Sequence, residues 1–256
     1  IEEGDYKLTL VMNRDNWANR AMHRASWNGQ ILSGRCEDND GTWFAISKRG
    51  RIAFLVNTSI LLDRVDPDEG SELYPFEFLK SNMSPHDFAN HVKQREVDRH
   101  EELDDESDGW SYSLIVADLI SNAMVHIRKP VGSEPTVIIE TVPFGVHSVS
   151  PYGGLDSNAF PRDTRLRTFF RVMINDLGND EVPPLREISE NTEGGRDAVN
   201  LETMDAHPSE ELGIQRFGTT SKTTLAVKRN NKVIFNEGHR NYHGDWNWRE
   251  LNFKIQ

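Results

Sequence analysis

The chain has 256 residues and is acidic, because 29 Lys and Arg residues stand against 41 Asp and Glu residues for a formal net charge of −12. Such a balance repels phosphate backbones and anionic headgroups, so we expect no nucleic-acid partner. No apolar run approaches the roughly 20 residues of a membrane-spanning helix, so a soluble protein without a transmembrane segment is expected. A single cysteine excludes an internal disulfide. Residues 1–256 are expected to form one domain.

The first predicted element is a strand that ends in a polar segment. Tyr6 to Met12 alternates apolar and polar residues and leads directly into Asn13, Arg14, Asp15 and Asn16. A half-buried strand of this kind would deliver Arg14 and Asp15 to the mouth of a pocket. The alternative is an exposed turn in which the Asn and Asp side chains bond their own backbone.

Short strands follow at 31–35 and 42–47, separated by an Asn-Asp-Gly turn. The nearly continuous apolar run over 51–57 predicts a strand in the middle of a sheet, with both faces buried. Helices are predicted over 73–80 and from Ser84, where an N-cap serine, a proline and an acid follow in order. The charged stretch 95–108 predicts a solvated loop or a fraying helix end.

The second half of the chain predicts a further set of strands around one strong helix. Residues 161–176 place five large apolar side chains on one stripe, which predicts a helix that packs on a sheet. Residues 192–213 lack periodicity and predict a long surface excursion. A change of apolar parity predicts a bulge at Arg249 or Glu250 in the last strand. The strands are predicted at 112–118, 124–128, 136–141, 146–150, 223–228, 232–236 and 246–255.

This order of elements describes sheets covered by helices, which is an α+β arrangement, rather than alternating βαβ units. Several motifs then occur in a fixed order along the chain: NRDN at 13–16, ILSGR at 31–35, GTWFAIS at 41–47, GRIAFLVN at 50–57, SLIVADL at 113–119, GGLDS at 153–157 and FGTTSKTT at 217–224. In this combination the chain resembles the transport and Golgi organisation protein 2 family, also called the NRDE family.

The resemblance implies a four-layer αββα sandwich of the N-terminal-nucleophile (Ntn) hydrolase type, with two packed, mainly antiparallel sheets covered by helices. In such enzymes an N-terminal Cys, Ser or Thr attacks an amide, and its own α-amine serves as the base. Family members usually begin with Met-Cys. If such a segment precedes Ile1, the runner-up function is an N-terminal-Cys amide hydrolase or acyl transferase that acts on a lipid-like substrate.

Three departures from the family pattern argue against efficient amide hydrolysis. Pro151 stands where the family has an Asn that serves as an oxyanion donor in related amidases, and proline has neither a side-chain amide nor a backbone N–H. Thr220 replaces a family Arg, and Asn16 replaces a Glu. The remaining cysteine, Cys36, is predicted to lie in a loop region and cannot use its own α-amine as a base. The prediction therefore leans away from an enzyme.

Arg14 and Asp15 remain as vestigial candidates for catalysis. In the catalytic interpretation Arg14 orients the nucleophile and Asp15 binds a substrate group. In the structural interpretation the two form a buried ion pair, and Thr42 and Asn57 satisfy the same network.

Family resemblance also implies haem as cargo, since family members are implicated in moving haem and imidazole is a common iron ligand. His239 and His243 have helical spacing but are predicted to lie in a loop, while His23 and His147 could face a cleft. Trp17, Met22, Trp27 and Trp43 would wall a flat hydrophobic ligand or form ordinary core. No cofactor is certain and no metal site is predicted.

The leading prediction is a non-catalytic binder or chaperone of a hydrophobic small molecule, haem or an acyl lipid, in intracellular trafficking and Golgi or endoplasmic-reticulum organisation. A cytoplasmic protein at the Golgi, endoplasmic reticulum or mitochondria is implied. In a third interpretation, contacts with secretory-pathway proteins organise membranes and the cleft serves only the fold. The predicted ligand-binding residues are Asn13, Arg14, Asp15, Arg20, Trp27, Thr42, Trp43, Asn57, His147, Gly218 and Thr219.

Overall fold

The structure is a computed structural model, and its residues cluster into two compact units. The first unit consists of residues 1–20 and 158–255, and the second consists of residues 21–157 with residue 256. The prediction of a single domain over residues 1–256 stays a prediction. The structure describes residues 5–18, 20, 22–37, 39–57, 70–102, 111–151, 153–177, 181–206, 214–241 and 243–256.

The first unit is built on a five-stranded antiparallel sheet in which β12 is the longest strand. The strand order is β1-β12-β13-β14, and the short β11 pairs with the beginning of β12. β12 and β13 form the predicted hairpin, which extends further than the apolar residues alone indicate. The strands are β1 (Tyr6–Trp17), β11 (Met204–Ala206), β12 (Gln215–Lys228), β13 (Lys232–Arg240) and β14 (Trp246–Lys254).

The register of this sheet assigns its side chains to two faces. Directly paired residues of neighbouring strands share a face, and consecutive residues of one strand point to opposite faces. One row across the sheet runs through Asn13, Lys222, Gly238 and Trp248, and we call its side the helix face. The other side, the opposite face, carries the paired residues Arg14, Ser221, His239 and Asn247.

Two helices, α3 (Pro161–Asp176) and α4 (Leu185–Ser189), cover the helix face. The apolar stripe predicted for α3 is confirmed, because its large side chains pack into a core with strand residues. The buried members of this core are Tyr6, Met173, Leu185, Ile188, Ala226 and Ile234, with Val11, Leu166, Phe169, Phe170, Ile174 and Leu177 packed against them.

Two expectations for the first unit are wrong. β13 and β14 pair without interruption from Arg240 opposite Trp246 to Lys232 opposite Lys254, so no bulge occurs at 249 or 250. The parity change instead reflects a strand with half-buried side chains on both faces. Within 192–206 the chain forms a 3-10 turn, β11 and a buried Ala198, Val199 and Leu201, rather than a surface excursion. The remainder of the predicted excursion, 207–213, lies outside the described residues.

The second unit is built on a seven-stranded antiparallel sheet whose strands follow one another in chain order. β5 is the fourth of the seven, which confirms that the apolar run over 51–57 forms a central strand. β9 and β10 form a separate two-stranded ribbon. The strands are β2 (Met22–Asn28), β3 (Ile31–Cys36), β4 (Phe44–Ser47), β5 (Arg51–Asn57), β6 (Tyr112–Asp118), β7 (Ala123–Lys129), β8 (Ile138–Thr141), β9 (Val149–Ser150) and β10 (Gly154–Leu155).

Helices α1 (Tyr74–Lys80) and α2 (Pro85–Glu102) pack on this sheet, with a 3-10 turn at Ser71–Leu73. The predicted cap of α2 is confirmed, since Ser84 Oγ accepts a hydrogen bond from the Asp87 backbone N–H. Of the two alternatives for 95–108, the helix end describes the chain as far as residue 102, because α2 continues to Glu102; residues 103–108 lie outside the described part of the chain. The expected loop position of Cys36 is wrong, since Cys36 ends β3 and is buried.

The core of the second unit lies between α1, α2 and the sheet. Phe78 and Phe88 meet edge to face, with ring centroids 5.1 Å apart, and join the two helices over the middle strands. Both units therefore combine antiparallel sheets with helices packed on them, which establishes the α+β class.

Candidate functional site

Asn13 of the NRD segment is held by the backbone that covers the helix face. Its Nδ2 donates to the carbonyl oxygens of Ser189 and Val199, both at 2.8 Å. The two carbonyls come from the end of α4 and from the segment that follows it. Asn13 therefore joins the end of β1 to its covering layer, and both donor hydrogens of its amide are used in doing so.

Asp15 lies on the same face, and each of its two carboxylate oxygens has a partner there. Its Oδ2 is 2.6 Å from Arg162 Nη1 of α3, and its Oδ1 accepts a hydrogen bond of 2.6 Å from Thr219 Oγ1. The Thr219 hydroxyl in turn accepts from the Leu201 backbone N–H at 2.8 Å. The ion-pair partner of Asp15 is thus Arg162, not Arg14 as the structural interpretation expected. Adjacent residues of a strand point to opposite faces, which keeps Arg14 and Asp15 apart.

Arg14 belongs to a polar cluster on the opposite face. Ser221 lies directly across the ladder from Arg14, and His239 lies across from Ser221. One pair further along, Thr223 faces Glu237. All five side chains are buried, with between 1% and 8% of their surface exposed. We call these five residues the opposite-face cluster.

The opposite-face cluster contains buried polar atoms that lack a hydrogen bond. Among the residues that the structure describes, Ser221 Oγ and His239 Nε2 are buried and have no hydrogen-bond partner. His239 Nε2 lies 3.0 Å from Glu237 Oε1, close enough for an ion pair but out of line for a hydrogen bond. Glu237 Oε2 is 3.6 Å from Arg249 Nη2. Buried polar atoms without partners are uncommon in proteins, so this cluster is one place where a ligand could bind.

Thr220 and Gly218 lie beside this cluster at a change of register. The pairing of β1 with β12 shifts between Arg14 and Asp15, and Thr220 is the extra residue. Its hydroxyl donates to the Arg14 carbonyl at 3.2 Å, so it restores a backbone bond but not the positive charge of the family Arg. A Cβ on Gly218 would lie 2.9 Å from Thr203 Cα, so glycine permits the close approach of that segment. The backbone N–H of Arg20 donates to the Trp17 carbonyl at 3.2 Å.

The other predicted site residues belong to the second unit. Thr42 is buried and donates from its hydroxyl to the Phe44 carbonyl at 2.7 Å, which is a structural bond. The Trp43 ring packs on Gly34, where a Cβ would lie 2.9 Å from the indole. Trp27 is 37% exposed beneath the Lys48 ammonium, at 4.9 Å from the ring centroid.

His147 and Asn57 complete the set in the second unit. His147 Nδ1 lies 2.6 Å from Asp156 Oδ2, and its Nε2 lies 3.0 Å from the Pro143 carbonyl oxygen. Both ring nitrogens therefore face acceptors, and neither is directed to a ligand. Asn57 ends β5 and is half-buried. Pro151 follows β9 directly, in the turn that connects it to β10.

Sequence reasoning missed several residues of the site. Arg162 precedes the stripe that identified α3, and only its pairing with Asp15 shows its importance. Ser221 and Glu237 lie in β12 and β13 but outside the ranges 223–228 and 232–236 that were predicted from apolar residues. A signal was present, because polar residues at alternate positions of an otherwise apolar strand predict a shared polar face.

Neither a metal centre nor a membrane span emerges from the described residues. Within them, no group of three or more His, Cys, Asp and Glu side chains is placed to hold a metal ion. None of the described helices combines the length and the apolar character that are needed to cross a bilayer.

The fold and the site define an α+β protein with antiparallel sheets, in which the NRD segment ties a strand end to two helices. Residues 1–242 match the family model described as Transport and Golgi organisation 2, and the chain belongs to this family. It is also similar to the mouse protein named Transport and Golgi organization 2 homolog, with 23% identity over 261 residues that cover 93% of this chain and 88% of the relative. The resemblance on which the sequence analysis relied is thereby confirmed.

Proposed function

We propose that the protein is a non-catalytic carrier of a hydrophobic small molecule, with haem as the leading ligand, and that the opposite-face cluster holds the polar part of that molecule. The observation that carries this proposal is the division of the NRD segment between two faces. The Asn13 amide nitrogen and the Asp15 carboxylate bond to groups of the helix layer, whereas Arg14 lies with His239 and Ser221.

The same division argues against amide hydrolysis. A carboxylate that is to bind a substrate amine uses its charge for that amine, but Arg162 already pairs with the charge of Asp15 and Thr219 already bonds to its other oxygen. Thr220 supplies no fixed charge beside Arg14. Removal of one oxyanion donor typically costs about 3 kcal/mol of transition-state stabilisation, so the substitutions at Pro151 and Thr220 together weigh heavily against this chemistry.

The residue types of the cluster fit the polar groups of haem. A neutral imidazole nitrogen is a common axial ligand of haem iron. Among the described residues, His239 Nε2 is buried without a hydrogen-bond partner, and the Glu237 carboxylate lies 3.0 Å from it. A guanidinium group suits a propionate carboxylate, and Arg14 is on the same face. In this proposal His239 contacts the iron of the cargo and Arg14 contacts a carboxylate.

Titration with haem tests the proposal. We expect the purified protein to give a saturable change in the Soret band at one equivalent of haem, and His239→Gln to weaken binding about tenfold or more. His100→Gln, an exposed position on α2, is the matched control and should bind like the unaltered protein. Circular dichroism checks that each variant is folded. A Soret response equal to that of another acidic protein would overturn the proposal.

A role in intracellular transport and Golgi organisation is the second part of the proposal. It is supported by the family description and by the name of the mouse relative. Depletion of the protein in cells that express it should disturb Golgi morphology, and re-expression of the unaltered protein should restore it. Failure of His239→Gln to restore it would connect ligand binding with organisation, whereas equal rescue would show that the two are separate.

A further inference from the structure

Lys222 is a buried cation on the helix face, away from the opposite-face cluster. Only 1% of its surface is exposed, although it lies in the middle of β12. Its Nζ has no hydrogen-bond partner within the described part of the chain and lies 3.8 Å from the centroid of the Trp246 ring. An ammonium group has three donors, and an aromatic face replaces only part of the hydration that it has lost.

A second donor without a partner lies in the same row of the sheet. Trp248 Nε1 is buried and, among the described residues, makes no hydrogen bond. Trp248 is in register with Lys222 through Gly238, and its indole lies flat on that glycine, where a Cβ would be only 3.0 Å from the ring. The Trp246 and Trp248 ring centroids are 6.4 Å apart. The indole N–H and the ammonium thus belong to neighbouring parts of one surface.

The charges around these two donors are mostly positive. Arg186 of α4 stacks on Trp248 with its guanidinium carbon 4.5 Å from the ring centroid, and Arg240 lies 5.9 Å from the centroid of Trp246. Burial is the largest cause that shifts the pKa of Lys222, and it lowers this pKa. The carboxylate of Glu190 raises the pKa, and the two arginines lower it. The two arginines thus act on Lys222 together with one acid, Glu190, which lies 3.1 Å from Arg186, in a chain whose net charge is −12.

We propose that this part of the helix face is a binding site for the carboxylate of a small aromatic acid, with Lys222 and Trp248 as the hydrogen-bond donors and Trp246 as an aromatic wall. A carboxylate has two acceptor oxygens, which matches the two donors, and its single charge offsets that of the ammonium. The aromatic part of the ligand stacks on an indole. Because Trp246 covers the ammonium, its ring moves when the ligand enters.

This site lies beyond the function proposed above, because it uses the other face of the sheet, other residues and another ligand. The haem titration and the experiment below therefore succeed or fail independently.

The test uses benzoate as the probe and benzamide as its neutral isostere. We expect benzoate to change tryptophan emission in a saturable way and to bind at least about tenfold more tightly than benzamide, since hydrogen bonds to charged groups are the stronger ones. Isothermal titration near pH 8, in two buffers of different ionisation enthalpy, should show proton uptake, because Lys222 has a pKa of about 8 and the bound carboxylate holds it in its charged form.

Two variants identify the residues that are responsible. Lys222→Met keeps the length of the side chain but removes the charge, and should weaken benzoate binding about tenfold without change for benzamide. Trp248→Phe keeps a ring but removes the N–H, and it should weaken benzoate binding less than Lys222→Met does. Lys232→Met, at an exposed position of β13, is the matched control and should change nothing.

Three results would overturn the proposal. They are equal affinities for benzoate and benzamide, unchanged benzoate binding in Lys222→Met, and preference for inorganic phosphate over benzoate. Melting curves accompany each variant, and Lys222→Met is expected to fold, because it replaces a buried charge with an apolar side chain of similar size.

Discussion

The carboxylate of Glu96 in the second unit and the ammonium of Lys222 in the first are both withdrawn from water, but only Glu96 is fully hydrogen-bonded. Its Oε1 accepts from the Tyr74 and Tyr112 hydroxyls at 2.7 and 3.0 Å, and its Oε2 lies 2.7 Å from Lys129 Nζ. Among the described residues, the Lys222 ammonium makes no hydrogen bond and lies against the face of Trp246. A satisfied buried charge is part of the architecture, whereas an unsatisfied one is a candidate for function.

The Glu96 cluster also affects its neighbours. Burial raises the pKa of Tyr74 and of Tyr112 above the ordinary value for tyrosine, and the negative charge of Glu96 raises both further. The two hydroxyls therefore remain protonated donors at physiological pH. This network connects α2 to α1, β6 and β7, so it fixes the helix in place rather than binding a ligand.

Glu96→Ala provides the most severe test of this contrast. It leaves the Lys129 ammonium buried without its counter-charge and removes the acceptor for two hydroxyls, so we expect a loss of about 3–5 kcal/mol in the free energy of unfolding. Urea denaturation measures it. Glu101→Ala, at an exposed position of the same helix, should cost less than about 0.5 kcal/mol. A loss of less than about 1 kcal/mol at Glu96 would contradict an architectural role.

The pH dependence of stability tests the second group in this comparison, the buried ammonium of Lys222. Burial lowers the pKa of Lys222 from 10.5 to about 8 in the folded protein. Between these values the unfolded chain binds more protons, so the free energy of unfolding rises with pH from about 8 to about 10.5, and the penalty is complete below pH 8. At 1.36 kcal/mol per pH unit the total is at most about 3 kcal/mol.

The comparison is made against Lys222→Met, which lacks the titrating group. The variant should be more stable than the unaltered protein at pH 7, and the difference should shrink as the pH rises to 9.5. Measurements stop at pH 9.5. Above about pH 10, Tyr74 and Tyr112 lose their protons in the unfolded chain before they do so in the folded protein, and this lowers the free energy of unfolding. A difference that does not vary with pH would show that Lys222 does not titrate in this range.

In its contribution to stability, the ion pair between Asp15 and Arg162 is intermediate between the hydrogen-bonded Glu96 and the Lys222 ammonium. Its side chains are 16% and 28% exposed, so solvent screens the pair in part. A double-mutant cycle with Asp15→Asn and Arg162→Met should give a coupling energy of about 1 kcal/mol in urea unfolding. A coupling energy indistinguishable from zero would return Asp15 to the list of residues that are available to a ligand.

The elements predicted correctly are those whose apolar residues follow a regular spacing within the element itself. The apolar run over 51–57 identified a central strand, and the stripe on 161–176 identified α3. The sequence did not decide between a loop and a helix end after residue 95, because Glu96 is stabilised by Lys129, 33 residues away in sequence. The partner of Asp15 was missed for the same reason, since Arg162 lies 147 residues further along the chain.

Strand residues with polar or glycine neighbours in sequence were also assigned incorrectly. His239 was predicted in a loop because Gly238 and Asn241 flank it, but it lies in β13. The glycine is there because an indole of the neighbouring strand lies against it. Glycine in a strand indicates such a close approach, but the sequence does not say which side chain makes it.

Glu190→Gln should have the smallest effect on stability and still report on Lys222. The pair that Glu190 forms with Arg186, at 3.1 Å, is exposed enough that its loss should cost less than about 0.5 kcal/mol. The carboxylate raises the pKa of Lys222, so its removal should lower that pKa below its present value of about 8. Carbon-13 NMR of ε-labelled lysine measures the shift, with Glu187→Gln on the same helix as the control. An unchanged pKa would mean that Glu190 does not act on the buried ammonium, and a raised one would contradict the sign of that interaction.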